Sequence, residues 1–244
     1  MIELYHEWDS VCSFKVRMCL AEKGLEWRSH LVSLFRFEHL KPDYLALNPN
    51  GVVPSLKVDG RPIIESSMIN EYLDETHAQP PLRPEDPVAR AEMRAWVKYQ
   101  DDVLYFAQRP ASFQLLVKKK LSDLSREQVE AMVTAHPDPE RGRHFVDWAT
   151  GPVDEAVVQE ARGKLRGVIE RLGTRLEDRK WLAGEACSLA EIAYAPFIER
   201  MERLGFQDLW SDRPGVRDWM ERVKARPAFA SAAPPPEFLM QGPP

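Results

Sequence analysis

Residues 48–54 read Asn-Pro-Asn-Gly-Val-Val-Pro and run directly into a strand-like segment at residues 54–58. Proline is tolerated at the start of a strand where its missing N–H is not needed. If the Val53–Pro54 bond is cis, the chain turns there, and the N–H and C=O of Val53 are free to pair with an extended peptide. The alternative is an ordinary proline-terminated loop, because the sequence alone does not reveal the isomer.

The segments around this stretch alternate between strand and helix patterns. The predicted elements are a strand at residues 2–5, a helix from residue 12 that stops near Gly24, a strand at 25–34, a hairpin of 54–58 and 62–64, and a helix at 66–76. Asp59-Gly60 suits the two-residue turn of that hairpin. This order predicts a small mixed sheet covered by helices, which is the α/β part of the fold.

The remainder of the chain has a helical period. Prolines are dense up to residue 87, so we predict a linker at 81–87 between a first domain, residues 1–80, and an all-helical domain, residues 88–230. Further helical stretches are predicted at 121–133, 153–176 and 188–204, with a loop at 135–140. Ser188 and Glu191 have the spacing of a capping box, which marks a helix start. The proline-rich residues 231–244 are expected to be a mobile tail.

Composition excludes several classes of function. The chain has 244 residues and a formal net charge of -5, which leaves no basic footprint for nucleic acid. No apolar run is long enough to span a membrane, and the N-terminal residues do not resemble a signal peptide. Three scattered cysteines are too few for a disulfide framework or a zinc site. We therefore expect a cytoplasmic protein with no metal and no nucleic-acid or membrane partner.

Residues 9–17 lie at a strand-to-helix junction and carry candidate catalytic groups. Ser10 either only caps the helix or donates to a bound thiolate, since exposed amides at a helix N-terminus favour negative charge. Cys12 has two readings as well. It shares an apolar stripe with Val16 and Cys19 and is then an inert small hydrophobe, or it is an acidified, reactive thiol in the first helical turn.

A second strand-to-helix junction lies at residues 64–69. Ser66 caps the helix in the simplest reading. The free amides and hydroxyl there also suit a ligand carboxylate, and Glu65 suits an ammonium group. A zwitterionic amino-acid end would satisfy all of these groups together.

Taken together, these motifs resemble the cytosolic glutathione transferase family over nearly the whole chain. The matching residues are 10–17, 20–25, 48–54, 65–66, 69–73, 181–184 and 188–192. The resemblance implies a thioredoxin-like N-terminal domain followed by an all-helical C-terminal domain, a cis bond at Pro54, and glutathione as co-substrate. It also implies a homodimer. The candidate glutathione-binding residues are Cys12, Val53, Pro54, Glu65 and Ser66.

Two branches of the family are similar to this chain in different ways. Residues 10–17 resemble the zeta class, the maleylacetoacetate isomerases, but Val11 and Val52 replace polar residues of that class. Residues 82–87, 91–96 and 137–148 resemble the β-etherase-like branch, in which a serine at the position of Ser13 is the proposed thiolate partner. In zeta-like and theta-like enzymes it is the serine that matches Ser10. We favour Ser10 first and Ser13 second.

The leading hypothesis is therefore a glutathione transferase that attacks a hydrophobic, aryl-type electrophile, by conjugation or by β-aryl ether cleavage. The predicted pocket walls are Trp8, Val11, Tyr99, Val103, Phe106 and Phe113, with Trp148 as a further candidate. Three alternatives stay open: a Cys12-dependent thiol transferase or dehydroascorbate reductase, a maleylacetoacetate-type isomerase, and a non-catalytic binding module of the same fold.

Overall fold

The first part of the chain folds as a four-stranded mixed sheet covered by helices, in a computed structural model that describes residues 1–240. The strands run in the order β2-β1-β3-β4, with β1 parallel to β2 and antiparallel to β3. This arrangement confirms the predicted α/β layer. Its elements are β1 (Ile2–His6), α1 (Val11–Glu22), β2 (Arg28–Leu31), α2 (Pro42–Leu45), β3 (Ser55–Val58), β4 (Arg61–Ile64) and α3 (Ser66–Thr76).

Local chemistry explains where these elements begin and end. Asp59 and Gly60 have φ of 48° and 83°, which is the positive backbone angle that a tight hairpin turn needs. The second strand is shorter than the predicted 25–34. At one end, the Leu25 N–H bonds to the Leu20 carbonyl at 3.0 Å and closes α1. At the other end, the Leu34 N–H donates to the carboxylate of Glu7 at 3.3 Å instead of to a neighbouring strand.

The rest of the described chain is helical, which confirms the predicted fold class. A long helical run begins at Pro87, where Asp86 caps it, and contains two π-helical turns, Gln100–Leu104 and Phe113–Val117. The helices are α4 (Pro87–Tyr99), α5 (Tyr105–Ser112), α6 (Lys118–Lys120), α7 (Arg126–Val133), α8 (Pro139–Ala149), α9 (Glu155–Arg175), α10 (Leu189–Arg203), α11 (Pro214–Lys224) and α12 (Pro227–Ala232).

Two helix starts differ from the sequence prediction. The helix expected from residue 121 begins only at Arg126, because Ser125 and Gln128 form a capping box that fixes the start there. The loop expected over residues 135–140 ends at Asp138, which caps α8 ahead of Pro139. None of the helices within residues 1–240 is long and apolar enough to cross a membrane.

Helix α10 lies at the centre of a hydrophobic core that the two parts of the chain share. Its predicted capping box is confirmed: the Ser188 hydroxyl accepts from the Ala190 N–H, and the Glu191 carboxylate accepts from the Ser188 N–H at 2.8 Å. The same carboxylate accepts from the Leu182 N–H at 2.6 Å. Helix α1 packs against α3, α10 and α12, so the first domain is held by C-terminal helices of the helical part. The division at residues 81–87 stays a prediction.

The C-terminal segment differs from the expected mobile tail. Residues 227–232 are helical, a short 3₁₀ turn follows at Pro236–Phe238, and Met240 is 5% exposed. The Met240 N–H donates to the carboxylate of Asp9 at 2.8 Å, so this segment packs across the β1–α1 junction. Residues 231–240 are therefore packed more closely than the expected tail, whose mobility stays a prediction, and residues 241–244 lie outside the described part of the chain.

Candidate functional site

The loop between β1 and α1 is fixed by a buried carboxylate. Asp9 accepts from Arg200 at 2.8 Å and from Arg203 at 2.5 Å, and both arginines come from α10. Its side chain is 2% exposed, so these charge-assisted bonds form away from water. Arg17 donates to the carbonyls of Glu7 and Trp8 in the same loop. These hydrogen bonds fix the position of the loop and, with it, the position of Ser10.

Ser10 is the N-cap of α1 and also faces a cavity. Its hydroxyl oxygen accepts from the Ser13 N–H at 3.2 Å, which is the capping bond that the sequence indicated. Ser10 is only partly buried and lines an apolar cavity between the two parts of the chain. A serine hydroxyl that accepts such a bond keeps its own proton for donation. The geometry leaves Ser10 able to donate to an atom in the cavity.

Ser13 and Cys12 occupy different environments from Ser10. Ser13 is fully buried, its hydroxyl has no hydrogen-bond partner within residues 1–240, and it does not line the cavity. Cys12 lines the cavity, but burial raises the pKa of its thiol, while Lys15 and a bond from Ser66 act in the opposite direction. Because the thiolate is the reactive form, burial favours the inert reading of Cys12.

The Val53–Pro54 peptide bond is cis, which confirms the first of the two readings. The preceding loop is held by Asn48, whose side-chain amide donates to the Val52 carbonyl at 2.8 Å and to the Ser55 hydroxyl at 3.0 Å. Val53 itself forms no hydrogen bond to any residue in the described range. Its backbone groups are available to an extended ligand.

The junction before α3 presents polar groups next to this loop. Glu65 has φ of 68°, an uncommon angle for a residue with a side chain, and its carboxylate accepts from Asn50 at 3.1 Å. Glu65 makes no side-chain capping bond to α3, so the first amides of that helix are left for another acceptor. Ser66 begins the helix and is 8% exposed.

A buried lysine that the sequence analysis did not single out supports this junction. Lys15 donates to the Ser67 hydroxyl at 2.8 Å and to the Gln100 side chain at 2.5 Å, and it lies 3.2 Å from the Asp101 carboxylate. It thereby connects α1 with the start of α3 and with the first π-helical turn. A lysine within an apolar stripe gives no local signal of such a role, because its partners are 52 to 86 residues away.

Two adjoining cavities lie in this region. We call the larger one, about 580 Å³, the polar cleft; it includes Pro54, Glu65, Ser66 and the nearby Asp101. The smaller one, about 210 Å³, is the apolar cavity, which includes Ser10. Both are lined by Cys12, Val52, Val53, Tyr105, His136 and Arg141.

The predicted pocket walls are partly corrected. Val11 and Phe113 line the apolar cavity, whereas Phe106 lines the polar cleft. Trp8 lines neither, because its ring packs between the Arg17 guanidinium, at 4.6 Å, and Phe238.

The other corrections concern the helical part of the chain. Tyr99 packs against the core under Arg171, which lies 4.2 Å from its ring centre. Val103 is 37% exposed on the surface. Trp148 lies behind the cavity, against Phe113 and the Arg109 guanidinium. None of these three residues lines either cavity.

Other cavity residues were missed by the sequence analysis. Phe35 and Phe37 come from the segment after β2, Phe145 from α8, and Met240 from the C-terminal segment. An aromatic pair spaced by two could have indicated a strand, but nothing local indicates that these residues meet across the chain. Their meeting depends on the docking of α8 and of the C-terminal segment.

Both parts of the chain match known family models. Residues 9–76 match the family model for the glutathione S-transferase N-terminal domain, and residues 124–227 match that for the C-terminal domain. The chain is 31% identical to protein LigF of Sphingobium over 93% of its own length and 91% of the relative. It is also 31% identical to a maleylacetoacetate isomerase of Pseudomonas aeruginosa, over 96% of each chain.

A similar solved structure is that of the β-etherase LigF from Sphingobium. It superposes with a TM-score of 0.87 at 29% identity and covers 95% of this chain and 98% of that one.

Proposed function

The chain belongs to the glutathione S-transferase family and is a glutathione transferase, and we propose that Ser10 activates the sulfur of glutathione toward an aryl electrophile held in the apolar cavity. The observation that carries this proposal is the shared wall of the two cavities at Cys12 and Val53. A ligand that fills the polar cleft has its thiol end beside Ser10, where a second ligand in the apolar cavity meets it.

The residues of the polar cleft fit glutathione. The free backbone groups of Val53 suit the extended cysteinyl part of the tripeptide. The uncapped amides of α3 and the Ser66 hydroxyl suit the α-carboxylate of the γ-glutamyl end, and Glu65 and Asp101 suit its ammonium group. We propose Cys12 and Pro54 as further contacts.

Ser10 is the proposed thiolate partner. Bound glutathione supplies the nucleophilic sulfur. Ser10 donates its hydroxyl proton in a hydrogen bond to that sulfur, which favours the thiolate near neutral pH, while its oxygen keeps the cap of α1. Ser13 remains the second candidate, although its hydroxyl is fully buried and would reach a ligand only after local rearrangement.

The electrophile that we propose is aromatic. The apolar cavity is walled by rings on several sides, namely Phe35, Phe37, Phe113, Phe145 and Tyr105. Such walls favour stacked and edge-on contacts with an aryl substrate. The similarity to a β-etherase leads us to propose β-aryl ether cleavage ahead of simple conjugation, and maleylacetoacetate-type isomerisation as the runner-up.

A Cys12-dependent thiol transferase is a weaker candidate. That reaction needs an accessible thiolate, and burial raises the pKa of Cys12.

Glutathione binding is tested by calorimetric titration of the wild-type protein and of Ser66→Ala. We expect saturable binding that weakens in the variant, because the hydroxyl at the start of α3 is lost. Saturable binding without turnover of any aryl ether or aryl halide would instead support a non-catalytic binding module. An absence of binding would refute the proposed use of the cleft.

The role of Ser10 is tested by Ser10→Ala and Ser13→Ala, assayed with the same electrophile. We expect Ser10→Ala to lower kcat by roughly 100-fold, as for the loss of one polarising donor, with little change in glutathione affinity. Full activity in Ser10→Ala together with a large loss in Ser13→Ala would transfer the role to Ser13.

Proteins of this family are generally dimeric, and we extend this to a homodimer of the present chain. Light scattering on the purified protein gives the mass directly, and a mass near 28.1 kDa would contradict the homodimer. The cytoplasmic location stays a prediction.

A further inference from the structure

The apolar cavity contains an arginine that has no acidic partner. Arg109, on α5, lines the cavity and is partly buried. Its guanidinium lies 5.3 Å from the centre of the Trp148 ring, and it forms no hydrogen bond or ion pair with any residue from 1 to 240. A guanidinium that is drawn out of water normally has a carboxylate or a carbonyl as its partner. The guanidinium of Arg109 is therefore a candidate binding group for an anionic ligand.

A second guanidinium faces the same space. Arg141, on α8, donates to the Tyr105 hydroxyl at 3.1 Å and forms no ion pair in the described residues. Burial lowers the pKa of Arg109, and the charge of Arg141 acts in the same direction, so the two cations are near enough to repel each other. An anion between them would relieve this repulsion.

The carboxylates of the cavity are engaged elsewhere. Asp9 accepts from Arg200, Arg203 and the Met240 N–H. Glu7 accepts from the backbone N–H groups of Trp8 and Leu34, at 2.8 Å and 3.3 Å. Neither carboxylate contacts Arg109 or Arg141.

Two histidines complete the basic end of the cavity. His39 is 9% exposed, and its Nδ1 has no hydrogen-bond partner within residues 1–240. The Nδ1 of His136 accepts from the Asp138 N–H at 2.9 Å. Burial lowers the pKa of both imidazoles, and the charge of the nearby Arg141 acts in the same direction. The acidic side chain near these groups is Asp138, whose charge acts on His136 and Arg141. Its carboxylate caps α8 by accepting from the backbone N–H groups of Glu140 and Arg141, each at 3.0 Å, and it forms no ion pair with either arginine in the described residues.

We propose that Arg109, assisted by Arg141, binds a carboxylate on the electrophile, so that the substrates of this enzyme are aromatic acids. This inference rests on the proposed function, since it specifies the substrate of the same cavity. A carboxylate suits the planar fork of an arginine, which can bind both oxygens at once. The ring that carries the carboxylate would lie among Phe37, Phe113 and Phe145.

A matched pair of electrophiles tests this proposal, 4-chloro-3,5-dinitrobenzoate and 4-chloro-3,5-dinitrobenzamide. With glutathione, each forms a carbon–sulfur bond at the ring carbon that bears chlorine. The carbon–chlorine bond breaks, chloride leaves with the electron pair, and the thiol proton goes to the buffer. The two substrates have nearly the same shape and differ in the charge opposite the chlorine. The readout is the ratio of their kcat/KM values, each divided by its uncatalysed rate.

The wild-type enzyme should prefer the benzoate, and Arg109→Gln should lower that preference by about tenfold, as for the loss of one charged hydrogen-bonded contact. The matched control is Arg143→Gln, which removes one arginine charge from the exposed side of α8, outside the apolar cavity. The control should keep the wild-type ratio. An equal ratio in wild type and Arg109→Gln overturns the proposal, as does a wild-type enzyme with no preference, whether or not the variant folds.

Binding without glutathione separates this inference from the proposed function. Dissociation constants of the benzoate and the benzamide are measured by calorimetry for wild type and Arg109→Gln. If neither compound is turned over but the benzoate binds more tightly in an Arg109-dependent way, the proposed transfer to these electrophiles fails and the carboxylate site stands. If the benzamide is turned over and both compounds bind equally, the transferase proposal stands and the carboxylate site is refuted.

Discussion

Replacing Asp9 with asparagine should cause a large loss of stability, because Asp9 is the only carboxylate that pairs with the buried Arg200 in the described chain. The side chain of Arg200 is 6% exposed, and Arg203 shares the same carboxylate. Asp9→Asn keeps the size of the side chain but removes its charge, which leaves Arg200 desolvated without a counterion. Breaking a buried pair in this way costs about 3–5 kcal/mol. That is a substantial part of a typical unfolding free energy of about 5–15 kcal/mol.

Urea titration followed by tryptophan fluorescence measures this loss as a lower midpoint at an unchanged slope. In a thermal scan, a domain of this size shifts by about 2–4 °C per kcal/mol, so a decrease of roughly 10 °C is expected. The matched control is Asp147→Asn, which breaks an ion pair with Arg126 whose side chains are 54% and 60% exposed. An exposed pair contributes about 0–1 kcal/mol.

The reasoning is refuted if Asp9→Asn loses no more stability than Asp147→Asn. A second variant checks the cause. Adding Arg200→Met to Asp9→Asn removes the unpaired cation, so the double variant should be more stable than the sum of the two single losses predicts. Strict additivity would mean that the Asp9–Arg200 pair is not the source of the effect.

Three further predictions follow from buried groups. After treatment with oxidised glutathione at neutral pH, mass spectrometry should find Cys12 unmodified, because burial raises the pKa of its thiol; a mixed disulfide at Cys12 would contradict this. Burial lowers the pKa of His6 to about 3 and of His39 to about 4, whereas the unfolded chain binds these protons near pH 6.5. The free energy of unfolding should therefore fall as the pH falls from 6.5 to 4, by up to about 1.4 kcal/mol per pH unit for each histidine. His39→Gln should make this change of unfolding free energy with pH smaller. An unchanged pH dependence in the variant would show that His39 is not held neutral. Glu191→Ala should lower the free energy of unfolding by about 2 kcal/mol or more, because two buried N–H groups lose their acceptor. Glu191→Gln keeps an acceptor oxygen and should lose less stability. Equal losses in urea titrations of the two variants would refute this account.

Much of the fold could be predicted because its signals are local. The alternation in β1, the Asp59-Gly60 turn, and the capping box at Ser188 and Glu191 each depend on residues within a few positions of one another. The Ser66–Thr76 helix was predicted with its observed bounds for the same reason. The second strand was predicted too long because its ends are set by contacts with Leu20 and Glu7.

The candidate site divides in the same way. Residues that lie within a motif, such as Ser10, Val53 and Glu65, could be named from the sequence, since the loop or helix start that presents them is encoded next to them. The contact between Phe37 and Phe145 could not be predicted from the sequence, because more than a hundred residues separate them. The docking of α8 brings their ring centres to 5.3 Å.

Short-range chemistry and motif spacing are enough to predict the order of strands and helices in the first domain and the family, but they leave the isomer of the Val53–Pro54 bond open. Which wall each side chain forms depends on the tertiary packing. The Trp8 ring packs against the Arg17 guanidinium instead of lining a cavity, and the Met240 N–H donates to Asp9. Arg109 lines the apolar cavity without an acidic partner in the described residues. The physical reason is that burial and charge pairing are properties of surfaces that meet across the chain, and no local pattern records which surfaces meet.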